Sequence, residues 1–218
     1  MPSTRDRSAL PDIGGLRRLS QSLAMLDAIL CPEWEYRYHS FKAHWAEGEE
    51  MASVRDGSGD DYFILFTQAG AIMKGFAHES EAWQRALERG QRPVPGVFDG
   101  VPEEFAGFLT EPAFSTDETT FCLWRRPTDP TWQTGANDLL EGEDPDGSAE
   151  LLRLLDGDLD AYRAWAEDYF ETSVTRSAVD HIFGHRPLTE EIVKTLNPEL
   201  SLDDLDEDVY EIAYPTLA

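Results

Sequence analysis

Apolar positions recur along this chain with two different periods. Leu16, Leu19, Leu23, Leu26 and Leu30 are spaced by three and four, which predicts a helix with one leucine stripe, ended by Pro32. From Glu33 the period shortens to two. Trp34, Tyr36 and Tyr38 fall on one face and Glu35, Arg37 and His39 on the other, predicting a half-exposed strand as far as Phe41. Trp45 to Glu50 is polar around Gly48 and reads as a turn into a second strand, Met51 to Val54. The turn signal Asp56-Gly57-Ser58-Gly59-Asp60 precedes two apolar runs, Tyr62 to Phe66 and Ala71 to Ala77, the second interrupted only by Lys74 and Gly75. Between them Thr67-Gln68-Ala69-Gly70 offers a glycine able to take positive φ, so the two runs predict a β-hairpin. Both faces of that hairpin are apolar, and both must be covered.

Further on, Ser80 is placed to cap a helix from Glu81 to Arg89, and Pro102 suits the first position of a short helix with Phe105, Phe108 and Leu109 inward. Thr119 to Arg125 reads as one more strand, whereas Pro127 to Gly147 has breakers and no period. A connection of that length is usually functional or disordered, which makes it a candidate surface loop. Beyond it the pattern is helical: Ala149 to Leu155, Leu159 to Phe170, Arg176 to Gly184, Glu190 to Leu196 capped by Thr189, and Leu202 to Ile212 capped by Ser201. The expected fold class is α+β, with an antiparallel sheet of about five strands, a meander over 34–77 plus 119–125, packed with helices and followed by a helical C-terminal third. Residues 1–13 have no apolar period and are expected as a flexible tail. Residues 14–218 then form one domain, with 148–218 a helical subregion packed on it.

Charge changes the picture most. The 218 residues carry 43 acidic and 18 basic side chains, a formal net charge of −25, and residues 141–218 alone hold 21 acids against 5 bases. A field of that sign opposes direct binding of nucleic acid or anionic lipid and favours a basic protein partner. Six Trp, seven Tyr and eleven Phe indicate a folded chain, because disordered acidic chains are poor in aromatics. Cys31 and Cys122 are far apart and signal neither a disulfide framework nor a zinc site. Leu23 to Cys31 is too short and, with Asp27, too polar for a signal segment, and no apolar run could span a bilayer, so a cytoplasmic protein that does not enter membranes is expected.

Four constellations could carry chemistry. His78-Glu79-Ser80 offers a general base beside a carboxylate and a hydroxyl. Adjacent extended residues point apart, however, and a structural histidine followed by a helix cap explains the tripeptide more simply. His181 and His185 are four apart on a predicted helix, the spacing of a two-histidine metal clamp, although Gly184 falls inside the pair and the HExxH glutamate is absent. Glu141, Glu143, Asp144 and Asp146 form a carboxylate-rich loop. Against the EF-hand pattern, Gly142 takes the first ligand position and Arg153 the twelfth, so that pattern fails and a charge-solvated turn is the simpler reading. Asp203, Asp204, Asp206, Glu207 and Asp208 make the most charged segment, either a solvated helix face or a surface that steers a basic partner. No nucleotide fingerprint, P-loop, GxSxG or HExxH is present, and no cofactor is expected.

Gly70 to Ser80 (GAIMKGFAHES), Val94 to Phe105 (VPGVFDGVPEEF), Glu111 to Phe114 with Thr119 to Arg125, Glu143 to Ser148 (EDPDGS), NPELSLDDL and YEIAYP together resemble a group of small acidic bacterial proteins without established function. That group is similar in size, acidity and aromatic content to immunity proteins that neutralise bacterial toxins. The resemblance implies a non-enzymatic acidic binding protein of immunity or antitoxin type. Its expected contacts are Trp132 in the long loop and exposed members of the tyrosine and tryptophan set as aromatic anchors, the loop acids Glu141, Glu143, Asp144 and Asp146, and the acids Asp203, Asp204, Asp206, Glu207 and Asp208. A metal-assisted hydrolase using His78, Glu79, His181 and His185 is the alternative, and mimicry of DNA by spaced carboxylates a third.

Overall fold

The computed structural model describes residues 1–136 and 142–217. In chain order the helices are α1 (Ile13–Leu30), α2 (Glu81–Glu88), α3 (Ala106–Thr110), α4 (Ser148–Leu151), α5 (Leu159–Tyr169), α6 (Arg176–Phe183), α7 (Glu190–Leu196) and α8 (Asp206–Ile212). The strands are β1 (His39–Ala46), β2 (Glu49–Arg55), β3 (Asp61–Thr67), β4 (Gly70–Phe76), β5 (Phe121–Arg125) and β6 (Gln133–Thr134). They form one open antiparallel sheet in the order β1-β2-β3-β4-β5-β6, so the fold is α+β as the sequence predicts, with a sixth strand that pattern reading missed. At two residues, β6 is too short to show a period.

The chain divides into two compact units, each built from two separate stretches. The first comprises Met1–Ile13 and Ser53–Asp156. At its centre β3 and β4 pair from Asp61↔Phe76 to Thr67↔Gly70, which leaves only Gln68 and Ala69 as the loop. Gly70 lies at φ +133°, and a Cβ there would stand 2.1 Å from the Arg125 carbonyl oxygen, so both backbone conformation and space demand glycine. Every residue of β4 is buried, Lys74 included. Lys74 donates to the Glu118 carbonyl at 3.0 Å, stands 2.8 Å from Asp61 Oδ1 and lies 5.2 Å from the centre of the Phe63 ring. Burial pushes the Asp61 carboxyl above its usual range, with the Lys74 ammonium acting in the opposite sense.

Residues 1–13, expected as a flexible tail, are instead bonded into this unit. Thr4 is buried; its hydroxyl donates to Asp146 Oδ2 at 2.6 Å and its N–H donates to Ser148 Oγ at 3.0 Å. Arg7 Nε donates to the Trp132 carbonyl at 3.0 Å, and Trp132 Nε1 donates to the Pro11 carbonyl at 2.7 Å. Polar side chains and backbone hold the segment, which explains why an apolar period could not reveal it.

The second unit comprises Gly14–Ala52 and Gly157–Ala218. Sequence reading assigned 14–218 to one domain with its helical part beginning at 148; the structure puts the boundary after Asp156 and joins 14–52 to the C-terminal helices. Residues 19–29 of α1 are buried on every side, so this helix is a spine rather than an amphipathic surface element. Each buried polar side chain on it finds a partner: Gln21 Nε2 donates to the Ile212 carbonyl at 2.8 Å, and Ser22 Oγ to the Ile182 carbonyl at 2.8 Å. Asp27 Oδ2 accepts from the N–H groups of Tyr38 and His39 at 3.1 and 2.7 Å and from His39 Nδ1 at 3.1 Å. These two backbone bonds fix where β1 begins.

Candidate interaction surface

Glu33 to Tyr36 departs most consequentially from the sequence pattern. In place of a strand, Trp34–Tyr36 is a 3-10 turn, and its side chains project outward. Trp34 is 53% exposed and Tyr36 63%, with Glu33 and Glu35 exposed between them. Arg37 holds the turn. Its Nε donates to the Cys31 carbonyl at 2.8 Å and its Nη2 to the Pro32 carbonyl at 2.9 Å, while the same guanidinium pairs with the Asp208 carboxylate. The His39 ring, expected on the polar face, is 4% exposed and packs against Trp165 and Tyr38 at 5.1 and 4.8 Å between ring centres.

A groove runs beside the turn, lined by Trp34, Arg37, Phe41, Asp208, Glu211 and Ile212. On one side Tyr169, 39% exposed, brings its hydroxyl to 3.5 Å from the Tyr36 carbonyl. On the other lies α8, where Tyr210 is 71% exposed and packs at a tilt on His44, 4.7 Å between ring centres, and where Glu211 meets Lys42 at 3.3 Å. Asp203, Asp204, Asp206 and Glu207 are exposed at the start of this helix; the last two, with Asp208, also complement its dipole. Asp204 accepts from the N–H and hydroxyl of Ser201 at 2.9 and 2.5 Å, and the hydroxyl bond holds its carboxyl below the usual range. Ser201 therefore serves Asp204 instead of capping a single helix, and 203–205 form a 3-10 turn ahead of α8. Four large exposed rings and a series of exposed carboxylates thus lie in one unit.

The other expected contacts are placed differently. Trp132 is 1% exposed and cannot be a surface anchor; the residues of 1–13 that cover it are its hydrogen-bond partners. Asp146 is buried, accepting from Thr4 Oγ1 and Ser148 Oγ, and Asp144 accepts from the N–H groups of Ala149 and Glu150 at 2.9 and 3.1 Å, holding the start of α4. Two loop acids are therefore committed to the fold. Glu143 is exposed, and Glu141 lies outside the described residues.

Within the first unit His78, Glu79 and Ser80 form no relay, and within the second His181 and His185 form no clamp. His78 Nδ1 donates to Asp60 Oδ1 at 2.6 Å, not to Glu79, whose carboxylate is 3.9 Å from Nε2 and faces solvent. The Asp60 bond raises the His78 pKa. Ser80 Oγ accepts from the Trp83 N–H at 3.3 Å, the helix cap that the sequence suggests, so it is not poised as a nucleophile. α6 ends before Gly184, and His185, at φ +51°, lies beyond the helix; the two imidazoles do not share a helix face. His181 Nε2 donates to the Pro187 carbonyl at 2.9 Å, and His185 packs on Tyr214 at 4.9 Å, where burial lowers its pKa. Among the described residues no group of three or more His, Cys, Asp or Glu is placed to hold a metal ion. The Asp27–His39 pair, which sequence reading missed, resembles an acid–base relay. Its carboxylate is saturated by donors, however, and its ring is enclosed by Tyr38, Tyr162 and Trp165.

Compared with family models, curated proteins and solved structures, the chain matches none. Among the described residues no helix is long and apolar enough to cross a membrane.

Proposed function

We propose that the chain is a non-enzymatic binding protein of immunity or antitoxin type, which sequesters a basic protein such as a toxin on the face carrying Trp34, Tyr36 and the α8 acids. The observation that carries this reading is the Glu33-Trp34-Glu35-Tyr36 turn, where two large rings stand in solvent between carboxylates and the Arg37 side chain bonds the Cys31 and Pro32 carbonyls just before the turn. Exposed aromatics on a rigid support, ringed by charge, are the usual energetic centre of a protein interface. The acids serve encounter: a net charge of −25 steers a cationic partner and repels nucleic acid.

The test is affinity capture from cells that encode the chain, with wild type and Trp34→Ala/Tyr36→Ala as paired baits at two salt concentrations. A basic protein retained by wild type and weakened by about 30-fold or more in the variant supports the reading, since a hot-spot ring is worth about 2 kcal/mol or more. Retention that ignores both salt and the two rings contradicts it.

A further inference from the structure

Resting on that reading, we propose that the open mouth of the groove beside Trp34 is an arginine site: a guanidinium from the basic partner lies on the exposed Trp34 indole and pairs with the Glu211 carboxylate, outside the narrow interior. The groove's charged groups are unequal. Asp208 is neutralised by Arg37, and Arg37 is in turn bound to the Cys31 and Pro32 carbonyls, so neither is open to exchange. Glu211 differs. It meets Lys42 at 3.3 Å with side chains 43% and 38% exposed, and an ion pair in that setting contributes about 0–1 kcal/mol, so an incoming cation displaces it at small cost. Glu207, one helical turn before Glu211 and exposed, adds negative charge on the same side of α8.

The rest of the lining decides which cation fits. Indole is the best ring partner for a cation, and Trp34 is more than half exposed beside the groove. Phe41 and Ile212 are buried and give the groove an apolar floor. A guanidinium is planar and weakly hydrated, so it can lie flat on the indole while two N–H groups meet one carboxylate. An ammonium is also attracted to an indole face, but as a strongly hydrated point charge it gains less there, since it cannot lie flat on the ring or offer the planar two-pronged fork.

The test uses two probes, acetyl-Gly-Gly-Arg-Gly-Gly-amide and its lysine counterpart, titrated into the full chain in the millimolar range while the backbone amide signals of 33–37 and 207–212, present in wild type and variants alike, are followed by NMR. The arginine peptide is expected to bind about threefold more tightly than the lysine peptide, the scale of a solvent-exposed cation–π contact. Trp34→Ala should abolish the difference, and Glu211→Gln should weaken both peptides; both positions are solvent-accessible, and circular dichroism checks that the variants fold. Equal binding of the two peptides overturns the arginine site and leaves the broader reading standing, because capture of the partner still reports on Trp34 and Tyr36. No shift with either peptide also overturns the site, and the broader reading falls only if the capture experiment fails as well.

Discussion

Arg37 and Asp208 are 171 residues apart in sequence and form a two-point ion pair, with Arg37 Nη2 at 3.1 Å from Asp208 Oδ2 and the second guanidinium nitrogen closer still to Oδ1. Arg37 also donates to two carbonyls just before the Trp34 turn, so one side chain ties that turn to the first turn of α8. The aromatic and acidic halves of the surface are thereby held in fixed register within one unit.

The Arg37 side chain is 9% exposed, and removing it leaves both carbonyls and a carboxylate without their donor. Arg37→Met should lower stability by about 1–3 kcal/mol, read as a lower urea midpoint at unchanged slope. Arg37→Lys should recover little, because an ammonium cannot serve three acceptors in the guanidinium geometry. A midpoint unmoved by either change would show that the turn does not depend on this residue.

Lys74 presents the opposite case, a charge fully buried in the central sheet. Asp61→Asn should cost about 3–5 kcal/mol, since it leaves an ammonium without its counter-charge. Lys74→Met combined with Asp61→Asn should recover most of that loss, because apolar volume then replaces a desolvated pair. Additive losses in the double-mutant cycle would mean that the two groups are not coupled.

Deletion of residues 1–11 removes the acceptor of the Trp132 indole and the hydroxyl that donates to buried Asp146. Red-shifted tryptophan emission and faster proteolysis between 127 and 148 should follow, with the β3–β4 hairpin retained. Unchanged emission would show that Trp132 is enclosed without the segment.

Two histidines should titrate in opposite directions from the ordinary value of 6.5. The bond to Asp60 raises His78, so its contribution to stability is full below 6.5 and is lost as pH rises through the raised value. Burial lowers His185, as do nearby Arg17 and Arg18. Folding there disfavours protonation, and stability falls as pH drops from 6.5 towards the lowered value. NMR titration of the ring protons measures both, and Asp60→Asn should bring His78 back towards 6.5. A His78 midpoint at or below 6.5 in wild type would contradict the Asp60 contact.

The sequence exposed what local patterns encode. The leucine stripe of α1, the β3–β4 hairpin, the Ser80 cap and the start of α7 at Thr189 all rest on contacts within a few residues. The surface was only partly legible. The α8 acids are plain in the sequence, but the alternation of Trp34, Tyr36 and Tyr38 imitates a strand, and the Trp34–Tyr36 turn is followed by an arginine whose carboxylate partner is 171 residues away. Trp132 failed for the converse reason: in a loop rich in breakers it reads as exposed, and the segment covering it is held by hydrogen bonds that leave no periodic trace. The His181–His185 pairing was lost to Gly184, which ends α6 between them.

Hydrogen exchange of the chain alone and in complex with the basic protein it captures tests the acidic–aromatic face in a single measurement. Exchange should slow at 33–37 and 203–212 on binding, with little change at 143–150, where Asp144 and Asp146 are already bound to the protein's own donors. Protection centred on 143–150, with 33–37 unaffected, would place recognition on the loop and contradict the assignment to Trp34, Tyr36 and α8.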